Sequence, residues 1–157
     1  MKVENKPRIS ERALKVVSTL LADSYLLLLK TQNFHWNVEG PHFAQLHSLF
    51  ETQYQELFGA VDALAERLRA VGVCAPGSWA QFAQMASLAE SVDPLHDADT
   101  MLHKLSEDHA TLVDHLRKVM ASAPEVFDPV TMDLLTQRLS WHEKTLWIIN
   151  SHIGREK

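Results

Sequence analysis

Apolar residues recur at helical spacing along almost the whole chain. From Ser10 onward, Leu14, Val17, Leu21, Tyr25 and Leu28 mark one helix face, while Leu26, Leu27 and Leu29 add apolar surface on other sides. A helix that is apolar nearly all round needs two neighbours, of which one can be its own bundle and the other a partner subunit. Ser10 is a good N-cap and Glu11 suits the first turn. Glu39-Gly40-Pro41 then breaks the chain and predicts a hairpin, after which residues 42–72 carry no proline and read as one long second helix. Residues 73–91 are too long for an ordinary bundle loop, and Ser78 predicts a short helix, Trp79 to Ala86, with Trp79, Phe82 and Met85 on one side. A third long helix is expected from the Asp93-Pro94 start to about Ala121, burying Leu95, Leu102, Leu105, Leu112, Leu116 and Val119. A fourth follows the same signal at Asp128-Pro129 and stops near Gly154. The sum is an all-α fold: an up-down four-helix bundle of residues 10–154, a short extra helix in the long crossover between helices 2 and 3, and polar tails at 1–9 and 155–157.

Composition narrows the classes without changing this picture. The chain is 157 residues long, enough for one domain with a sizeable core, and 46% hydrophobic with 22% charged residues. Five glycines and six prolines are few, which disfavours a turn-rich β fold. One cysteine, Cys74, excludes an internal disulfide. The first ten residues lack the apolar core of a signal peptide, and the longest apolar run, Tyr25 to Leu29, is far too short to span a bilayer. A cytoplasmic protein with no membrane role is expected.

Chemistry concentrates between Asn33 and Arg67. With His47 at zero on a helical wheel, Glu51 falls near 40°, Asp62 near 60° and Glu66 near 100°, so all four share one face at about 100° per residue. Along the axis His47 and Asp62 are about 22 Å apart, and no single ion reaches both. His35 precedes the hairpin and His47 follows it, so the two imidazoles can face each other. One end of the stripe thus offers His35, His47 and Glu51, and the other offers Asp62 and Glu66. Two such half-sites become whole if a second copy lies antiparallel across a two-fold axis, the commonest symmetry of homo-oligomers. A lone histidine or carboxylate on a helix is usually solvated, and only the pattern of five argues for a metal. Imidazole with carboxylate suits Fe(II), and also Zn(II) or Mn(II), and such binding weakens in mild acid as the ligands take up protons.

The run Asn33-Phe34-His35-Trp36-Asn37-Val38, with Gly40, Phe43, Leu46-His47, Val61-Asp62 and Ala65-Glu66-Arg67, resembles the signature of the Dps family, the mini-ferritins that protect DNA in starvation and oxidative stress. His142-Glu143-Lys144-Thr145 and Trp147 also look like that family's last helix, so the likeness covers nearly the whole chain. Glu51, four residues after His47, stands where many members of that family have aspartate. The resemblance implies a ferritin-like bundle, a dodecameric shell, and ferroxidase sites at the two-fold interfaces built from His35, His47, Glu51, Asp62 and Glu66. It further implies Fe(II) as substrate, hydrogen peroxide as preferred oxidant, and Fe(III) stored as mineral within the shell. Trp36, beside His35, is a candidate quencher of stray oxidising equivalents, although packing in the core is the commoner role of a tryptophan there. Asp128 and Asp133 resemble the acids lining three-fold pores in that family, against simpler readings as an N-cap and a first-turn acid.

Three further inferences follow from the residues. Glu-x-x-His motifs facing a bundle interior are missing: the one such spacing, Glu39 to His42, is interrupted by Gly40-Pro41, which disfavours a di-iron site inside one chain. His96, His103, His109, His115 and His152 lie on stretches rich in polar residues and are expected to be solvated, and His142 has no assigned role. The alternative function is a nucleoid-associated DNA-binding protein with incidental iron binding. A net charge of -5 per chain opposes it, and the basic residues of the tails, Lys2, Lys6, Arg8, Arg155 and Lys157, are diluted by Glu4 and Glu156, so DNA binding is expected to be weak or absent.

Overall fold

The computed structural model describes residues 9–90, 97–122 and 124–153. Five α-helices follow in order: α1 (Glu11–Asn37), α2 (Phe43–Ala70), the short α3 (Trp79–Met85), α4 (Ala98–Ser122) and α5 (Pro129–Ile153), with a 3₁₀ turn at Pro124–Val126 before α5. Every start but that of α2 has a side-chain cap. The Ser10 side chain accepts from the Ala13 N–H, and Ser78 does the same for Gln81. Asp128 Oδ1 accepts from the N–H groups of Val130 and Thr131, with Pro129 at the first helical position. The expected start at Asp93 and Pro94 lies outside the described residues, as do Leu95 and His96. Within them α4 begins at Ala98, where Asp97 accepts from the Thr100 N–H.

The hairpin between α1 and α2 turns on Gly40, whose φ of 109° only glycine adopts without strain. Gly72 has φ of 94° and stops α2 in the same way, with Arg67 and Arg69 in the last turn opposing its dipole.

Side-chain ties set the topology. Arg12 donates to Ser122 Oγ and Lys30 pairs with Asp108 at 2.5 Å, so α1 and α4 run antiparallel. Burial pushes the Asp108 carboxyl above its usual range, and Lys30 opposes that. Arg67 pairs with Asp128 at 2.7 Å and Arg138 is held by both oxygens of Glu56, so α2 and α5 are also antiparallel. Because α1 is antiparallel to both α2 and α4, those two are parallel, and the chain must cross the length of the bundle between them. The crossover is anchored by Asp23, 1% exposed on α1, which accepts from the N–H groups of Ser87 and Leu88 and from the Ser87 hydroxyl.

The core lies between the four long helices. Leu27, Phe34, Phe50, Leu57, Leu64, Leu105, Leu112, Leu135 and Ile149 are fully buried, each stabilising the fold by about 1.5–3 kcal/mol through removal of its side chain from water. Leu102 and Leu116 are buried as expected, Val119 only partly. On α3 only Phe82 is buried; Trp79 and Met85 are exposed, with Tyr25 stacked on Phe82 at 4.9 Å. No described helix is long and apolar enough to cross a membrane.

Asp23→Ala removes three acceptor contacts and leaves the partly buried N–H groups of Ser87 and Leu88 without their acceptor. It is expected to lower stability by about 2–4 kcal/mol. Urea unfolding at matched protein concentration checks this, with Asp23→Asn retaining part of the loss.

Candidate metal centre at the hairpin

His35 sits in the last turn of α1 and His47 in the second turn of α2, on either side of the Gly40 turn. Their rings stack with centroids 3.8 Å apart. Each Nδ1 lies 2.8 Å from the backbone oxygen of the other residue. A carbonyl only accepts, so each Nδ1 carries the proton and donates it, and each Nε2 is left with its lone pair. The His35 carbonyl is one of the four at a helix C-terminus with no partner in the helix, so His47 completes α1 as it is itself oriented. A second hydrogen bond that fixes the tautomer is the usual support of a metal-binding imidazole. His35 is buried, His47 half-buried, and Tyr54 meets the His35 ring edge-on at 5.2 Å.

Glu51 follows His47 by one turn; it is half-buried and accepts from Gln55 Nε2. Asp62 and Glu66 are exposed further along α2, separated from His47 by about 22 and 28 Å of helix axis. The structure therefore brings the two histidines together, keeps Glu51 within one turn of them, and holds the two acids apart. Among the described residues, no three His, Cys, Asp or Glu side chains of one chain converge where a metal ion could sit. Phe58, 66% exposed, lies one turn before Asp62 on the same stripe as Asp62 and Glu66.

Trp36 is 61% exposed in the single chain, which corrects its reading as a core residue. Asp128 has its charge met by Arg67. Burial alone raises its carboxyl, but hydrogen bonds from Thr131 and Arg67 outweigh this and hold it below the usual range. Asp133 is exposed and accepts from Gln137.

Two polar features escaped the sequence reading. His103, His115 and His152 are exposed as expected, but His109 is fully buried, as is His142, and their Nδ1 atoms are 2.9 Å apart between α4 and α5. The correction has a simple cause: His109 falls on the stripe of Leu102, Leu105, Leu112 and Leu116, and position on the wheel overrides the polarity of its neighbours. Burial, with the Arg138 charge added, pushes the His109 imidazole down to about 3. Burial, then the charges of His109 and Arg138, takes His142 well below its ordinary value. The other feature is Arg138 itself, buried between Glu56 and the face of Trp141, 4.7 Å from the ring centre.

Four long helices, a crossover helix and paired histidines at the first hairpin define a ferritin-like protein, and residues 14–157 match the family model of the ferritin-like domain. Within that class the chain belongs to the Dps family: it is 31% identical over 148 residues to the DNA protection during starvation protein of Brevibacillus brevis, spanning 94% of this chain and 99% of that one. An uncharacterized low temperature-induced protein of a Nostoc species is 42% identical over 134 residues, 85% of this chain and 75% of the relative. The crystal structure of the Vibrio cholerae O1 Dps protein, described as a member of a broad superfamily of ferritin-like diiron-carboxylate proteins, superposes with a TM-score of 0.84 at 26% identity, over 92% of this chain and 90% of that one.

Both buried imidazoles are neutral in the folded protein, whereas in the unfolded chain they charge below about pH 6.5. The unfolded state then binds more protons, so stability is full above that pH and falls as pH drops. For metal-free protein the loss from His109 alone should be on the order of 2 kcal/mol between pH 7 and 5, with His142 adding in the same direction. Thermal unfolding at fixed ionic strength checks it, and His109→Leu with His142→Leu should flatten the profile.

Proposed function

We propose that the protein is an iron-oxidising and iron-storing member of its family whose reaction centre spans two subunits. His35, His47 and Glu51 of one chain meet Asp62 and Glu66 of an antiparallel second copy, twice per pair. The observation that carries this reading is the reciprocal His35–His47 lock, which leaves two Nε2 lone pairs ready at one end of α2 while two carboxylates stand exposed on the same face at the other. Phe58 beside those acids, apolar and exposed, supports burial of that stripe against a neighbour.

Fe(II) is the substrate. Imidazole nitrogen with carboxylate oxygen suits it, and few protein ligands leave positions open for oxidant. His35 and His47 hold it without reorganising because their rings are already fixed; the acids supply negative charge that favours the ferric product. With hydrogen peroxide, two Fe(II) each give one electron, the O–O bond breaks, and two protons from solvent complete two waters. Iron and peroxide are consumed without releasing hydroxyl radical, which is how such a reaction protects DNA. The ferric product collects as mineral inside a closed shell, a dodecamer in this reading, in the cytoplasm. Trp36 stands next to His35 to intercept stray oxidising equivalents. Asp133 is the better pore candidate, since Asp128 is already neutralised by Arg67. Binding of DNA by the shell itself is weak, given the charge of -5 on each chain; a gel shift at low-micromolar protein and physiological salt should show no tight complex.

Anaerobic Fe(II) titration followed by peroxide tests the centre. His47→Gly or Asp62→Asn should lower the initial oxidation rate by about 100-fold or more while the assembly persists, since even supporting residues of metal sites cost 10–100-fold. Unchanged rates would place the chemistry elsewhere.

The shared character of the site has its own test. A His35→Gly, His47→Gly chain and an Asp62→Asn, Glu66→Gln chain are each inactive, but a mixed pair has one site with all its ligands. Unfolding and refolding the two together should restore about a quarter of wild-type activity if pairs form at random across a two-fold axis. A centre contained within one chain predicts no recovery.

A further inference from the structure

The interior of the bundle holds a second group of metal-ligating atoms that the hairpin centre does not use. His109 and His142 are each 0% exposed, and their Nδ1 atoms are 2.9 Å apart. Both Nε2 atoms are buried without a hydrogen-bond partner, and so are both polar atoms of the Gln53 amide. Gln53 lies one turn before Glu56 on α2 and His142 one turn after Arg138 on α5. Because these helices are antiparallel and joined at Glu56–Arg138, the two residues sit at the same level of the bundle. Four unpartnered polar atoms in one layer of a leucine-lined core are costly, about 1–3 kcal/mol each, unless something satisfies them.

We infer that His109, His142 and Gln53 form an intrachain site for one late first-row divalent cation, of the nickel, copper and zinc class, separate from the iron centre at the subunit interface. The unanswered polar atoms carry the argument, and the nitrogen spacing is compatible with it. Two nitrogens bonded to one ion at about 2.0–2.1 Å lie about 2.9 Å apart when they subtend a right angle and about 3.4 Å at the tetrahedral angle. The hydrogen-bonded pair stands at the first spacing, and each ring turns to aim its Nδ1 lone pair at a common ion off the N–N line. With the cation between the Nδ1 atoms, both Nε2 atoms carry protons, and the Gln53 carbonyl oxygen can accept from one of them or turn to the ion. Without a cation, one imidazole must donate to the other, and the layer then keeps one buried N–H and one buried lone pair unanswered. The nearest fixed positive charge, Arg138, is already held by both oxygens of Glu56. Imidazole pairs suit nickel, copper and zinc better than the harder cations, which want oxygen. Both rings are neutral in the fold and bind without first losing a proton.

The test uses the assembled His47→Gly protein, so that the interface centre is disabled, stripped with a chelator and then equilibrated overnight with Cu(II) or Co(II) because the site is closed. One ion per chain should bind, with an electron paramagnetic resonance spectrum of Cu(II) showing coupling to two imidazole nitrogens, and the thermal midpoint should rise by several degrees. Adding His109→Leu and His142→Leu should remove both the spectrum and the rise; should that protein fail to assemble, His142→Gln in its place should weaken binding at least tenfold. Absence of a nitrogen-coordinated ion in the His47→Gly protein, or equal binding in the variants, overturns the proposal. Neither result bears on peroxide-driven iron oxidation, which is read separately in protein with the interface centre intact.

Discussion

The exchange of hydrogen bonds between His35 and His47 is the constraint on which the functional end of the molecule depends. Each imidazole gives its Nδ1 proton to the backbone of the other helix, so neither ring can rotate without releasing a carbonyl at the mouth of the hairpin. The Gly40 turn is what permits this approach, since its positive φ reverses the chain quickly enough to stack the rings at 3.8 Å. Structure and chemistry are therefore the same interaction seen from two sides. The bonds that close α1 against α2 also decide which nitrogen of each histidine keeps its lone pair.

From that end, α2 acts as a ruler. Its buried face, Leu46, Phe50, Leu57, Leu64 and Leu68, is committed to the core of its own chain. Its other face carries Glu51, Phe58, Asp62 and Glu66. A rigid helix cannot bring His47 to Asp62, so the two halves of the stripe can cooperate only between molecules. The ion pairs that orient α5 against α2, Arg67 with Asp128 and Arg138 with Glu56, lie elsewhere on the helix and leave this face free.

Much of this was legible from residue types and spacing. The caps at Ser10, Ser78 and Asp128, the turn at Gly40 and the long crossover all have local causes, and local causes survive folding. The facing of His35 and His47 followed from their positions around a hairpin. What escaped was polar chemistry on faces that read as core or as surface by composition. His109 reads as solvated because Glu107, Asp108 and Lys104 surround it in sequence, yet it occupies the middle of a leucine stripe. Asp23 sits in the most apolar stretch of α1, and its partners, Ser87 and Leu88, are more than sixty residues away, beyond the reach of any periodicity. The reciprocal tautomer lock was likewise invisible, since it depends on backbone carbonyls that every residue has.

The proposed placing of iron chemistry on the surface of one chain has a physical rationale in the bundle itself. An interior lined by Leu27, Leu57, Leu105 and Leu112 offers iron no carboxylate, and charged ligands brought there would each incur several kcal/mol of desolvation. The titratable side chains that the core does hold at 0% exposure on α4 and α5, His109 and His142, are imidazoles kept neutral by that same burial. Carboxylates stay charged more easily at a surface, and a partner that covers them with Phe58 and its symmetry mate lowers the local dielectric only when the ligands are already assembled around the ion. Under the proposed function, oxidation is coupled to association: a lone chain presents histidines without their acids, and iron would be held firmly only where two chains have met. A protein that turns soluble iron into mineral gains from that order of events, because oxidation then takes place only where an assembly exists to receive the product.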